Sequence, residues 1–438
     1  MRAVIVGNSA AGLAAAQAFR AAAPAAELLL VCGDAGPAYS RVLTSYYLAG
    51  RIPREGLFLV DDHFYRQQQI QTLFGRQAAG LAPDEDVLLL EDGSRLEFDR
   101  LLVATGATPQ RLSAPGAEGE GVFTLRTRED AEAIRRAARG AERAVIAGGG
   151  MVALKAAEAL HELGLAVTLV VSSPQLLSQM LDPVTADLVR RRLEAWGLAV
   201  LLGEDVAEIV REGGRLEVRT SGGRELPCDL VVAGKGVRPN VGWLAGSGVA
   251  VNRGVVVDAF LQTSRPGVWA AGDVAETWDL ARGERRVNAL WGNAVEQGRV
   301  AGLNLASPDG QAAAYPGSLA ENSLHWGDLS VISVGQVNPP AGDSRYRIHE
   351  RREGDRFYRR LVFREGRLVG AVLFGDVRGA GILRALIQAS ASSPRSLEPS
   401  DGLAAELLAP GLAYGRLYRR LVPGLAKPAP LLPVDSWQ

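Results

Sequence analysis

Cysteine is almost absent. The 438 residues include only Cys32 and Cys228, with no C-x-x-C pair and no metal-ligand spacing. A disulfide framework and an iron–sulfur cluster held by this chain are therefore not expected. Histidine is as sparse: His63, His161, His325 and His349 are scattered and suggest neither a metal set nor a triad. No sign of charge dominates. Lys plus Arg number 48 against 49 Asp plus Glu, so no global field draws the molecule to nucleic acid or acidic lipid. No apolar run approaches the roughly 18 residues of a spanning helix, and the Ala-rich stretch from Ala14 to Ala26 is interrupted by Gln17, Arg20 and Pro24. The opening MRAVIVGNSAAGL enters a strand at once, without the n-region, h-region and cleavage site of a secretory signal. No membrane segment and no export are expected, and the expected compartment is the cytoplasm.

What is present is ordinary globular composition, 47% apolar and 22% charged, at a length that implies two or three domains. Val4 to Val6 reads as a strand, followed by a Gly-bearing turn, a helical run from Gly12 to Ala22 and a strand from Leu28 to Cys32. This is a βαβ opening. The order recurs as Ala144 to Ala147, Gly148 to Gly150, Ala153 to Leu163 and Ala166 to Val171. Further apolar segments at 87–90, 101–104, 216–219 and 230–233, bounded by Gly, Asp and Pro, read as strands completing each sheet. From about Tyr315 alternating strands (331–334, 357–363, 368–373) and a helix at 381–389 suggest a third, α+β domain. A last stretch from Asp401 holds Arg416, Arg419 and Arg420 beside Tyr414 and Tyr418 and ends Pro-rich. It reads as a surface extension, lying on its own subunit or on a partner.

The first turn, Gly7 to Gly12, has G-x-G-x-x-G spacing with Ser9 in the second glycine position and Ala11 inside it. Gly7 allows the tight turn, Gly12 the close helix–strand packing, and the helix N-terminus offers N–H groups to a pyrophosphate. Alone, such a turn also occurs as plain structural punctuation. An acid is expected after the second strand for a ribose diol, and Asp34 stands there. It reads equally as a solvated turn acid before Gly36 and Pro37. The second turn, Gly148, Gly149, Gly150, Met151, Val152, Ala153, fits G-x-G-x-x-A. Two fingerprints in order, each between strand and helix, are far more specific than one. After the second strand come Ser172 and Ser173, neither acid nor Arg, so NADH and NADPH both remain open, with NADH favoured because no cation is in place.

At this point the chain resembles the FAD-dependent pyridine nucleotide-disulfide oxidoreductase superfamily over roughly residues 1 to 395. VATGATP (103–109, with Ala104, Thr105 and Gly106) is similar to the crossing from the FAD to the NAD domain, and GKGVRPN (234–240, with Gly236) to the return crossing. WAAGD (269–273) resembles the second FAD motif, in which Asp273 after Gly272 would accept hydrogen bonds from the ribityl chain. NALWGNAVEQGRVAGLNLA (288–306) resembles the helix whose N-terminus, with Trp291, Asn293 and Ala294, faces the flavin. The segments AYSRVLTSYYLAG (38–50) and LWGNAVEQGRVAG are closest to rubredoxin or ferredoxin reductases and nitrite reductase flavin domains, which implies Arg41 near the FAD phosphates and Ser45 near the reactive ring. Related reductases often carry Lys where Ser45 stands, and Lys155 replaces a common Glu. It either alters the nicotinamide pocket or sits solvated on a helix face.

The resemblance implies an α/β fold of two Rossmann-like domains plus a C-terminal α+β domain: residues 1–112 and 239–312 for FAD, 113–238 for NAD(P), 313–400 for the third domain and 401–438 for the extension. It also implies the cofactors FAD and NAD(H), with NADP(H) not excluded. The C-x-x-x-x-C pair of disulfide reductases and the single Cys of the peroxidase branch near Thr44 are both missing, and Cys32 and Cys228 read as packed thiols. Electrons are then expected to leave FAD directly, to an iron–sulfur carrier such as rubredoxin or ferredoxin, or to an iron–sulfur subunit in a homodimer or hetero-oligomeric complex like aldehyde oxidoreductases and nitrite reductases. The reverse direction, towards NAD reduction, is equally open. An NADH oxidase acting on oxygen and a redox-responsive flavoprotein scaffold are the competing readings, separable by whether the reduced flavin reoxidises faster with an iron–sulfur carrier than in air.

Overall fold

Short β-branched and leucine-rich runs alternate with Ala-rich amphipathic stretches, and in the computed structural model they form parallel sheets covered by helices. The structure describes residues 1–392 and 401–411, Gly214 excepted. Two compact units divide the chain, residues 1–320 and 321–438.

The first unit contains both nucleotide folds. One sheet runs in the order Val268–Ala270, Arg100–Val103, Arg2–Val6, Glu27–Cys32, Gln71–Phe74, all parallel. Its central strands are buried on both sides, Ala3 to Ile5 and Leu101 to Val103 being fully inaccessible. Each such aliphatic side chain contributes about 1.5–3 kcal/mol. The other sheet, again parallel, runs Ala199–Leu202, Ala166–Val171, Arg143–Ala147, Leu230–Ala233, Val122–Thr124. The edge strand Val268–Ala270 joins the first sheet only after the chain has passed through the second. That makes the first fold discontinuous.

The two crossings are stitched together. Ala107–Pro109 and Val237–Pro239 pair antiparallel, the Thr105 hydroxyl donates to Asn240 O at 3.0 Å, and Asn240 Nδ2 returns a bond to Thr105 O at 2.9 Å.

Helix Ala10–Ala22 packs on helix Trp291–Ala306 through small residues. A Cβ on Gly298 would lie 2.2 Å from Ala11 O and one on Gly302 2.3 Å from Ala15 O, so the helix backbones touch where no larger residue fits. Residues 313–320 run back along this unit: Asn304 brackets Ala313 with two hydrogen bonds, Tyr315 N donates to Ala259 O and Ser318 N to Trp278 O. The first unit therefore extends to Ala320, past the boundary near 312 expected from the change of pattern.

The second unit is an antiparallel sheet ordered Glu321–Trp326, Leu329–Gly335, Arg367–Phe374, Phe357–Arg364, Tyr346–Glu353, with helix Ala380–Ser392 against its middle. The first turns of the expected extension form helix Asp401–Leu408, which buries Ala404 and Leu407. Buried Arg359 holds it, donating to Leu407 O at 3.1 Å and Ala409 O at 2.6 Å. Tyr414, Arg416, Tyr418, Arg419 and Arg420 lie outside the described residues.

Among the described residues no helix is long and apolar enough to cross a membrane.

Candidate functional site

The first fingerprint turn is built by sterics. Gly7 has φ +124°, and a Cβ there would sit 2.1 Å from Ala104 O. Only glycine fits that conformation and that approach. Its N–H donates to Val31 O at 2.8 Å, locking the turn to the second strand. Ser9 caps helix Ala10–Ala22 in an extended conformation without a side-chain hydrogen bond, so the first helical N–H groups have no side-chain cap and are available to an anion. The second turn repeats the design: Gly148 has φ +132° and a Cβ would meet Gly234 O at 2.3 Å, Gly148 N donates to Val170 O, and Gly150 is an N-cap without side chain. Met151 and Val152 begin the helix, and Val152 is exposed although apolar.

Around the first turn the expected residues converge. A Cβ on Gly272 would lie 2.9 Å from Ala11 Cβ and 3.6 Å from Ala294 Cβ, so fingerprint helix, WAAGD segment and helix Trp291–Ala306 meet at one point. Gly272 N is fixed by Gln297 Oε1 at 2.7 Å. The long helix starts at Trp291 with no side-chain cap on Leu290, again leaving N–H groups for negative charge. Asn293 turns its amide to Leu319 O at 3.1 Å, which commits that side chain to holding the backbone. Asp34 is not simply solvated: Arg41 Nη2 donates to it at 2.6 Å and Nη1 to Tyr39 at 2.9 Å.

Ser45, nearly buried, lines a small recess with Tyr46, Ala49, Arg51, Lys155, Glu158 and Ala159, where helix Thr44–Leu48 meets the second fingerprint helix. Lys155 is therefore not on a solvated face. Its ammonium pairs with Glu158 at 2.7 Å, and Glu158 also takes Arg51 at 2.6 Å, while Arg51 further pairs with Glu162. Hydrogen bonds donated to Glu162 and then to Glu158 hold the Arg51 guanidinium pKa above its ordinary range, against the opposing effect of burial.

Three features escaped the sequence reading. Arg126 reaches across to Asp273 at 2.9 Å, and its Nε is buried without a partner. The signal available was the placement of Arg126 just before Thr127, which forms a capping box with Asp130 at helix Arg128–Ala137. The Arg51–Glu158–Lys155 chain was also unseen. Finally, the expectation that no cation stands beside Ser172 is corrected: Lys235 arrives there from the end of strand Leu230–Ala233, 3.5 Å from Ser172 Oγ.

Both thiols are buried. Burial, reinforced by Asp34, pushes Cys32 up to about 11, and burial with Asp229 pushes Cys228 up to about 12. Neither is a thiolate at neutral pH. No cluster of metal ligands occurs among the described residues.

Comparison with known proteins shows the family. Residues 1–298 match the model of the pyridine nucleotide-disulphide oxidoreductase family. The chain belongs to that family. Residues 321–391 match the rubredoxin NAD+ reductase C-terminal domain. Among curated relatives, the chain is 31% identical to the NADH-dependent phenylglyoxylate dehydrogenase subunit epsilon of Aromatoleum evansii, over 88% of this chain and 90% of that one. It is 30% identical to the nitrite reductase [NAD(P)H] of Bacillus subtilis over 89% of this chain, spanning 47% of that protein's length. A crystal structure of a ferredoxin reductase from Rhodopseudomonas palustris superimposes with TM-score 0.78 at 27% identity, covering 86% of this chain and 91% of the other. Members are NAD(P)H-dependent flavin oxidoreductases, and FAD with NAD(P)H are the cofactors. The two glycine cradles, the helix starts without side-chain caps and the unpartnered buried Arg126 Nε fit such dinucleotides.

Proposed function

We propose that this chain passes electrons between a nicotinamide cofactor and an iron–sulfur carrier or iron–sulfur subunit through FAD, with no protein thiol in the path. The observation that carries the reading is the placement of the only two thiols: each is packed in a sheet and held protonated, Cys32 in the first parallel sheet and Cys228 in the small three-stranded one. A thiol relay has nothing to use. The named relatives, a ferredoxin reductase, a dehydrogenase subunit and a nitrite reductase of about twice the matched length, support an acceptor outside the chain.

FAD supplies the change from electron pairs to single electrons. The chain's own residues bind and orient. The backbone from Gly7 to Gly12, with Ser9 and Ala11, would receive the pyrophosphate. Asp34, steadied by Arg41, would take the adenosine ribose, and Asp273 with Arg126 the ribityl side. Ala104, Thr105 and Gly106 close the turn from the other strand. The helix starting at Trp291 would stabilise negative charge with the free N–H groups of its first turn, Asn293 among them, while Ala294, whose N–H is used by Leu290 O, packs against Gly272. Gly148, Gly150, Met151, Val152 and Gly236 form the nicotinamide-cofactor side. Ser45 and Lys155 lie where the two folds meet, so positioning is what the protein contributes. The direction follows the partner's potential.

The test is anaerobic reduction by NADH followed by mixing with ferredoxin, rubredoxin or air. Reoxidation faster with an iron–sulfur carrier than with air supports the reading. Fast reoxidation by air alone makes the chain an oxidase and refutes it.

A further inference from the structure

A dinucleotide fold reads its adenosine ribose at the end of the second strand, with an acid for the free diol or a cation for a 2′-phosphate. Here that strand ends Val171, Ser172, Ser173 and offers neither. Folding brings both from other strands. Lys235 crosses the strand ends to Ser172, and Asp205 accepts a hydrogen bond from the same ammonium at Oδ1. Asp205 is placed by backbone, since Gly203 N donates to Ser173 O and Glu204 N to Val171 O, which ties this turn to the strand end. Val206 N binds Oδ1 at 2.8 Å, and Oδ2 takes no hydrogen bond among the described residues. The Asp205 side chain is 49% exposed, that of Lys235 19%. The neighbouring acid Glu204 is already engaged by Thr220 and Arg224.

We propose that the Lys235–Asp205 pair reads the adenosine-ribose diol of the nicotinamide cofactor and makes the chain prefer NADH to NADPH. This rests on the second fold being the nicotinamide-cofactor site. A neutral ion pair with an open carboxylate oxygen suits a neutral diol: Oδ2 accepts from one hydroxyl and the ammonium donates to the other. A 2′-phosphate would set a second negative group beside Asp205, and like charges so close repel. The cation for NADPH is thus present but masked by one acid. Removing that acid alone uncovers it.

The experiment is calorimetric titration of the FAD-loaded full chain with NAD+, NADP+, ADP and adenosine 2′,5′-bisphosphate, which needs no turnover. The wild type is expected to bind NAD+ more tightly than NADP+. In Asp205→Asn the NAD+/NADP+ affinity ratio is expected to fall on the order of tenfold, with the bisphosphate gaining over ADP in step. Lys235→Met is expected to weaken NAD+ without gaining NADP+, and in the double variant the NADP+ gain is lost. Equal FAD content confirms that the variants fold. A wild type preferring NADP+, or a ratio in Asp205→Asn unchanged within about twofold, overturns the proposal while leaving the site reading intact. Binding of neither cofactor to the wild type overturns both.

Discussion

Glu158→Gln is a sharp perturbation because it keeps volume and removes one charge from a buried side chain. The Glu158 side chain is 4% exposed and takes Arg51 on one oxygen and Lys155 on the other. An amide can accept from one of these cations but turns its NH2 group towards the second. Breaking a fully buried pair costs about 3–5 kcal/mol. Arg51 is one-third exposed and keeps Glu162, so the expected loss is smaller, about 2 kcal/mol. In a unit of this size, residues 1–320, about 1.5 °C per kcal/mol applies, which lowers Tm by about 3 °C. Glu162→Gln is the control. Its side chain is 34% exposed, and the expected cost is about 0–1 kcal/mol, fading with salt. Thermal unfolding of FAD-loaded protein by circular dichroism, at low and high salt, measures both. If Glu158→Gln melts with Glu162→Gln, or its loss vanishes in salt, the Glu158 charge is open to solvent and the reasoning fails.

Asp273→Ala is expected to lower flavin occupancy sharply, read from the visible absorption of purified protein, because it also leaves Arg126 without its acid. Gly298→Ala puts a Cβ 2.2 Å from Ala11 O, and the forced helix shift should cost about 1–3 kcal/mol in denaturant unfolding and loosen FAD retention. Because the thiol pKa values are raised to about 11 and about 12, the native state favours the protonated thiols; that stability is complete below the ordinary thiol pKa and is lost as pH climbs through those values. Ellman labelling of the native protein at about pH 8 should therefore be negligible, with roughly one Cys32 in a thousand ionised, and should appear on denaturation.

How much was legible in the sequence follows from what each feature needs locally. The two turns were readable because Gly7 and Gly148 answer to a tight turn between adjacent strand and helix, and neither depends on distant residues. Both parallel sheets followed, although the short edge strands Gln71–Phe74 and Val122–Thr124 carry too few apolar residues to stand out. The ionic connections were not readable. Arg126 meets Asp273 across 147 positions, Arg51 meets Glu158 across 107, and Lys235 meets Asp205 across 30. No periodicity links such pairs. Lys155 was noticed as an odd residue, yet only packing against helix Thr44–Leu48 shows that it lines a recess there and is largely shielded from solvent.

The central claim, two dinucleotides with no thiol between them, is tested most directly by counting electrons. Anaerobic titration of the FAD-loaded protein with dithionite should bleach the flavin with one electron pair per FAD, in the wild type and in the Cys32→Ser/Cys228→Ser variant alike, and NADH should bleach both equally well. Uptake of a second electron pair per flavin by the wild type, lost in the double variant, would contradict it.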